Sequence, residues 1–123
     1  MKYILIVMAI LVSMYADIFT NKQKKEISQS VNLNYPVTIG EGTHLVNFSI
    51  INDTFMYMAN VDYTSQFSNK EKIKIKKDTA MGICTDNRTL PGLKKGLHFQ
   101  YAYRNADTYK VFYQFDLSIK DCR

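Results

Sequence analysis

Apolar and polar residues alternate with a period of two in two pairs of stretches along this chain. The longer pair lies near the C-terminus, where Leu97, Phe99, Tyr101 and Tyr103 are followed, after Arg104, Asn105, Ala106 and Asp107, by Tyr109, Val111, Tyr113, Phe115 and Leu117. Alternation of that length predicts two half-buried strands, and the residues between them supply the turn of a hairpin. The earlier pair places Val46, Phe48 and Ile50 on one face of its first strand. Phe55, Tyr57, Ala59, Val61 and Tyr63 share a face of the second. Asn52 and Asp53 between them are turn residues, so a second hairpin is expected.

Elsewhere the apolar spacing is helical. Ile27 and Val31 stand four apart among Lys and Gln within Asn21–Asn32, which predicts an amphipathic helix, and Pro36 bars its continuation. Residues 34–43 read as a connection with turn points at Gly40 and Gly42. Residues 68–84 are ambiguous, because Ile73 and Ile75 alternate with lysines as a strand would. Ser68 or Asn69 as cap, Glu71 near the start, and Ile73, Ala80 and Cys84 on one side favour a helix. A short helical piece ending at Gly96 leads into the last hairpin. The expected fold is α+β: an N-terminal helix, then a four-stranded antiparallel sheet of two hairpins packed by a central helix.

The first residues change the compartment. Met1–Ala16 carries a charge at Lys2, an apolar run from Ile4 to Val12, and small residues at Ser13 and Ala16 before Asp17. That is the pattern of a secretory signal. The alternative is a retained membrane anchor, for which the run falls short of the roughly 20 apolar residues a span needs. No cysteine follows the run, which excludes a lipoprotein. Residues 1–16 are thus expected to be a signal peptide (or anchor) and residues 17–123 a single α+β domain. The expected location is periplasmic or extracellular, with inner-membrane anchoring as the alternative.

Export sets the reading of the cysteines. Cys84 and Cys122 are the only two, and an even set in a small exported chain predicts one disulfide. Closing that loop would stabilise the fold by on the order of 4 kcal/mol in the chain-entropy model. No Cys-x-x-Cys is present, and no histidine stands at ligand spacing from either cysteine.

Charge and chemistry add little. Sixteen Lys and Arg against 11 Asp and Glu give +5, gathered at Lys22, Lys24 and Lys25, at Lys70, Lys72, Lys74, Lys76 and Lys77, and at Lys94 and Lys95. These read as solvated helix faces, and weak attraction to anionic headgroups is their alternative use. Stacking on nucleic acid is not expected, since alternation puts most tyrosines on the apolar face and export removes the chain from cytoplasmic nucleic acid. His44 and His98 start different strands, with no carboxylate or cysteine placed to complete a metal set or a nucleophilic triad. Asp62 and Asp116 lie opposite the apolar faces of their strands and read as solvated rather than paired. Asp78 and Asp86 are further carboxylates without a partner for acid–base work. No catalytic residue, cofactor or metal is expected. Triplets at Asn47, Asn52 and Asn87 fit a glycosylation acceptor, which matters only in a eukaryotic secretory pathway.

Several segments together carry a resemblance: "YPVTIGEGTHL" leading into a strand pair, Cys84-Thr85-Asp86, Lys94-Lys95-Gly96, the Tyr101-x-Tyr103 strand, and the terminal Asp121-Cys122. In these the chain resembles small exported bacterial proteins of uncharacterised function, across most of the segment after residue 16. It departs from them at Gly40 and Gly42, where bulkier residues are usual. The resemblance implies an exported α+β domain with one disulfide and brings no activity. By elimination, the expected function is a non-catalytic exported protein that binds another, unidentified protein as an inhibitor, immunity factor or assembly accessory. A membrane-anchored envelope component is the alternative, and the sequence carries no signal for an oligomeric state.

Overall fold

The computed structural model describes residues 20–40, 42–62 and 67–122. The expected signal or anchor, residues 1–16, lies outside them, as does Tyr63. The elements are α1 (Asn21–Asn32), β1 (Val37–Gly40), β2 (Thr43–Ile51), β3 (Thr54–Val61), α2 (Asn69–Thr85), α3 (Leu90–Lys94), β4 (His98–Asn105), β5 (Val111–Leu117) and a terminal 3₁₀ turn (Ile119–Cys122). The α+β class is as expected. The sheet is different in two respects.

It has five strands in the order β1-β2-β3-β4-β5, and the central pair β3–β4 is parallel. Two hairpins joined by a helix do not give an all-antiparallel sheet when the helix returns the chain to the end at which β3 began. Both hairpins then keep their own antiparallel pairing and meet in parallel. The fifth strand is the expected connection: Val37 pairs with Leu45 and Thr38 with His44. Only Val37 and Ile39 alternate there, too short a run to read as a strand.

One face of the sheet forms the core in cross-strand rows. Ile50, Phe55, Phe99 and Leu117 make one row, and Phe48, Tyr57, Tyr101 and Phe115 the next. Neighbouring rings stack within the second row, with centroids 5.1 Å apart for Tyr57–Tyr101 and 5.3 Å for Tyr101–Phe115. Aromatic rows of this kind are stabilising beyond their buried area, by about 0.5–1.5 kcal/mol per pair.

Two bulges shift the faces expected from strict alternation. In β2 the register slips between Leu45 and Asn47, so Leu45, not Val46, joins Phe48 in the core. In β5 the slip falls opposite Tyr103 and Arg104. Val111 and Tyr109 therefore leave the core face and are exposed, while Phe112 packs edge-on to Phe67. A bulge inserts one unpaired residue, and every side chain beyond it changes face.

The helices lie where the sequence placed them. α1 starts with a capping box between Thr20 and Gln23 and packs Val31 and Ile27 onto the core. At its end, the Asn32 side chain bonds both backbone groups of Phe48: its amide donates to the carbonyl (2.9 Å) and its Oδ1 accepts from the N–H (2.8 Å). β1 is too short to cover this part of the β2 edge, so Asn32 takes the place of a strand residue there. α3 ends at Gly96, whose φ of +102° suits glycine, and the Leu97 N–H closes the cap on the Gly92 carbonyl.

Candidate interaction groove

α2 is fixed at both ends before its outer face is considered. Ser68 caps its start, the hydroxyl accepting from the Glu71 N–H while the Glu71 carboxylate accepts from the Ser68 N–H. Those same bonds hold the Glu71 carboxyl below its ordinary range. At the other end Cys84 is bridged to Cys122 of the terminal turn, with Cα atoms 5.3 Å apart.

The face that α2 turns to the sheet consists of Ile75, Thr79 and Ile83. Of the expected side, Ile73 with Ala80 and Cys84, only Ile73 is fully outward; Ala80 is half-buried against the core and Cys84 is half-buried in its disulfide. Ile73 is 69 % and Met81 57 % exposed. Ile73 and Ile75 are two residues apart, about 200° around a helix, so only one of them can meet the sheet. Ile73, Ala80 and Met81, with Lys72, Lys76 and Lys77 and with Asn69, Tyr113 and Asp121, line an open groove of about 870 Å³.

The walls are tied to the fold. The Tyr113 hydroxyl donates to the Lys72 carbonyl at 2.7 Å, fastening β5 to α2, and burial raises the Tyr113 phenol above its ordinary value. The Lys72 ammonium lies 5.6 Å from the Tyr113 ring centroid. Asp121 is held at the groove end because its carboxylate accepts from the Ser118 N–H at 2.9 Å and its neighbour Cys122 is cross-linked to α2. Lys74, on the rim side away from the groove, pairs with Asp78 at 2.9 Å, and that hydrogen bond lowers the Asp78 carboxyl.

The other sequence-singled residues fall elsewhere. Asp86 shapes the exit from α2: its carboxylate accepts from the Arg88 N–H at 2.7 Å and from the Arg88 guanidinium at 3.2 Å, which lowers its pKa. Both aspartates of the Cys-Thr-Asp and Asp-Cys motifs thus accept from backbone N–H groups at chain turns. His44 and His98 lie opposite Asn60 and Thr54 of β3, six residues apart and hence about 20 Å along the strand. They form no pair. Asp62 and Asp116 are separated similarly, since Asp116 stands in the row of Gln100 and Met56.

One constellation escaped the sequence reading. His44 does have a carboxylate partner: its Nε2 is 2.7 Å from Asp62 Oδ2, and its Nδ1 is 3.0 Å from Thr38 Oγ1. Strict alternation puts His44 on the face of Phe48, but the β2 bulge turns it outward to the side of Asn60 and Asp62. The only signal was the hairpin register, and the bulge altered it by one residue. The hydrogen-bonded chain joins β1, β2 and the end of β3 across the solvent face. Among the described residues no group of three or more metal-ligating side chains occurs, and no helix is long and apolar enough to cross a membrane.

No family model and no curated protein sequence matches the chain. Solved structures do. Three solved structures share this α+β fold at low sequence identity. A candidate secreted protein from Pseudomonas aeruginosa superposes with a TM-score of 0.73 at 12 % identity, over 89 % of this chain and 98 % of that one. The type 2 secretion system pilotin EpsS of Vibrio vulnificus gives 0.63 at 10 % identity, over 85 % and 98 %. The type II secretion system pilotin AspS of Vibrio cholerae gives 0.59 at 10 %, over 79 % and 86 %. At these identities the likeness concerns the fold.

Proposed function

We propose that this chain is an exported, non-catalytic protein that acts by binding another protein, as an accessory to the assembly of an envelope or secretion machine. The observation that carries the reading is the exposed apolar pair Ile73 and Met81 on α2, which with half-buried Ala80 lines a groove on a helix that the fold anchors at both ends. Contiguous exposed apolar surface rimmed by polar residues is the mark of an interaction site. Pilotins of type II secretion systems have the same fold, which supports an assembly accessory ahead of an inhibitor or immunity factor. The motif aspartates have a structural use, each accepting from a backbone N–H at a chain turn. Location in the periplasm or outside the cell follows from the residue 1–16 pattern, and the secreted neighbour is in keeping with it.

Photo-crosslinking in intact cells tests this. A benzoylphenylalanine in place of Ile73 is expected to give a discrete protein adduct, whereas the same group in place of Gln114, on the opposite face of the sheet, gives none. Absence of an adduct at 73, or the same adducts from both positions, would refute the reading.

A further inference from the structure

The outward face of α2 has the spacing of a helix-docking seam. Asn69, Ile73, Lys76 and Ala80 recur at intervals of four, three and four residues, the spacing along which one helix lies on another, with Ile73 and Ala80 as its apolar members and Asn69 and Lys76 as its polar ones. They span about 16 Å or three turns. Lys72 and Lys77 occupy the two positions that flank such a seam, one on each side, where interhelical charge pairs form. Ala80, at its C-terminal end, is small enough for close approach of a second backbone.

Charge decides the occupant. The groove carries three lysines, Lys72, Lys76 and Lys77, against one carboxylate, Asp121, which already accepts from the Ser118 N–H. Among the described residues no carboxylate lies within ion-pair distance of Lys72, Lys76 or Lys77, the one lysine pair on α2 being Lys74–Asp78. A second copy of this chain docked by the same face would set lysine against lysine. Building on the protein-binding reading above, we infer that the α2 groove receives an amphipathic helix of a partner protein, with an apolar seam facing Ile73, Ala80 and Met81 and acidic residues facing Lys72 and Lys77. The lysine stems add apolar wall while their ammonium groups remain at the rim. Apolar contact holds such a helix, and the charges choose it and fix its register.

The test uses the protein purified from the envelope and two synthetic three-heptad helical peptides as probes. Both carry Leu at a and d; one has Glu and the other Lys at e and g. Fluorescence anisotropy at about 0.1 M salt, where exposed charges still act over about 10 Å, is expected to show at least about tenfold tighter binding of the Glu peptide. Lys72→Glu with Lys77→Glu should reverse the preference. Ile73→Ser should weaken the Glu peptide at least about tenfold with an unchanged circular dichroism spectrum, since Ile73 is exposed. Equal binding of both peptides, or indifference to Ile73→Ser, overturns the inference. So does Ile73-dependent uptake onto phosphatidylglycerol vesicles without Glu-peptide binding, which reassigns the groove to a lipid surface. The crosslink at position 73 separates the two readings. A protein adduct without Glu-peptide binding overturns the acidic helix alone, and neither signal overturns both.

Discussion

Raising the pH should unfold this protein through its buried tyrosines. Tyr57 and Tyr101 lie at the centre of the core row with rings stacked on one another, both almost fully buried. Burial raises both phenols well above their ordinary value of 10.0, with the nearby tyrosines adding to the shift. In the unfolded chain both ionise near 10. Below that pH both states hold the proton and stability does not respond. Above it the unfolded state releases protons that the folded state keeps, so stability falls by about 1.4 kcal/mol per pH unit for each phenol. Two phenols give about 2.7 kcal/mol per unit, hence about 5 kcal/mol over two units, comparable with the whole stability of a marginal domain. Burial raises Tyr35 as well, which steepens the fall. Urea unfolding followed by circular dichroism at a series of pH values from about 9 to 12 measures the slope. Tyrosinate absorbance, recorded in parallel, should rise for these residues only as the fold is lost. Tyr57→Phe should reduce the slope by about 1.4 kcal/mol per unit. If every tyrosine ionised in one step near 10 while the far-ultraviolet spectrum stayed intact, or if Tyr57→Phe left the slope unchanged, the argument from burial would fail.

Three further perturbations probe the framework around the groove. Replacing both cysteines, Cys84→Ser with Cys122→Ser, frees a loop of 38-residue separation and should lower stability by about 4 kcal/mol. A change below about 1 kcal/mol in urea unfolding would show that the bridge does not restrict the unfolded chain as supposed. Asn32→Ala removes two hydrogen bonds to Phe48 and leaves a half-buried strand edge open, a loss of about 2–3 kcal/mol. Thermal unfolding reads it, and an unchanged midpoint would mean that solvent serves the edge equally well. Ile75→Ala should cost about 2–4 kcal/mol and Ile73→Ala less than about 0.5 kcal/mol. Equal costs would place both residues in the core and remove the groove.

How far the residues announced their places depended on whether the signal was local. Both hairpins, the Ser68–Glu71 capping box and the Gly96 stop are written within a few neighbouring residues, and all four are present in the structure. The sheet's parallel centre is not local: it follows from where α2 and α3 deliver the chain, and no residue in β3 or β4 differs in kind for pairing one way or the other. The bulges are also silent in composition. Val46 and Phe112 are good strand residues, and each is displaced only because the partner strand fixes the register on either side of it. Those two displacements account for the misread faces, for exposed Val111, and for the His44–Asp62 contact.

The groove was hidden for a different reason. α2 has two apolar stripes, Ile75-Thr79-Ile83 and Ile73-Ala80-Cys84, and helical spacing alone weighs them alike. The first includes a threonine and the second a cysteine, so composition favours neither. The difference is made by the sheet, whose Tyr113 hydroxyl takes the Lys72 carbonyl and thereby fixes the helix's rotation. Once the rotation is set, the lysines follow: Lys77 comes to flank the outward stripe, while Lys72 lies between that stripe and the core with its ammonium over Tyr113. The disulfide extends the same logic to the chain end, because a bridge from Cys84 puts Asp121 at the mouth of the groove. A lysine-rich helix that reads as a solvated face in the sequence is, in the fold, a charged rim around apolar side chains that solvation alone does not explain.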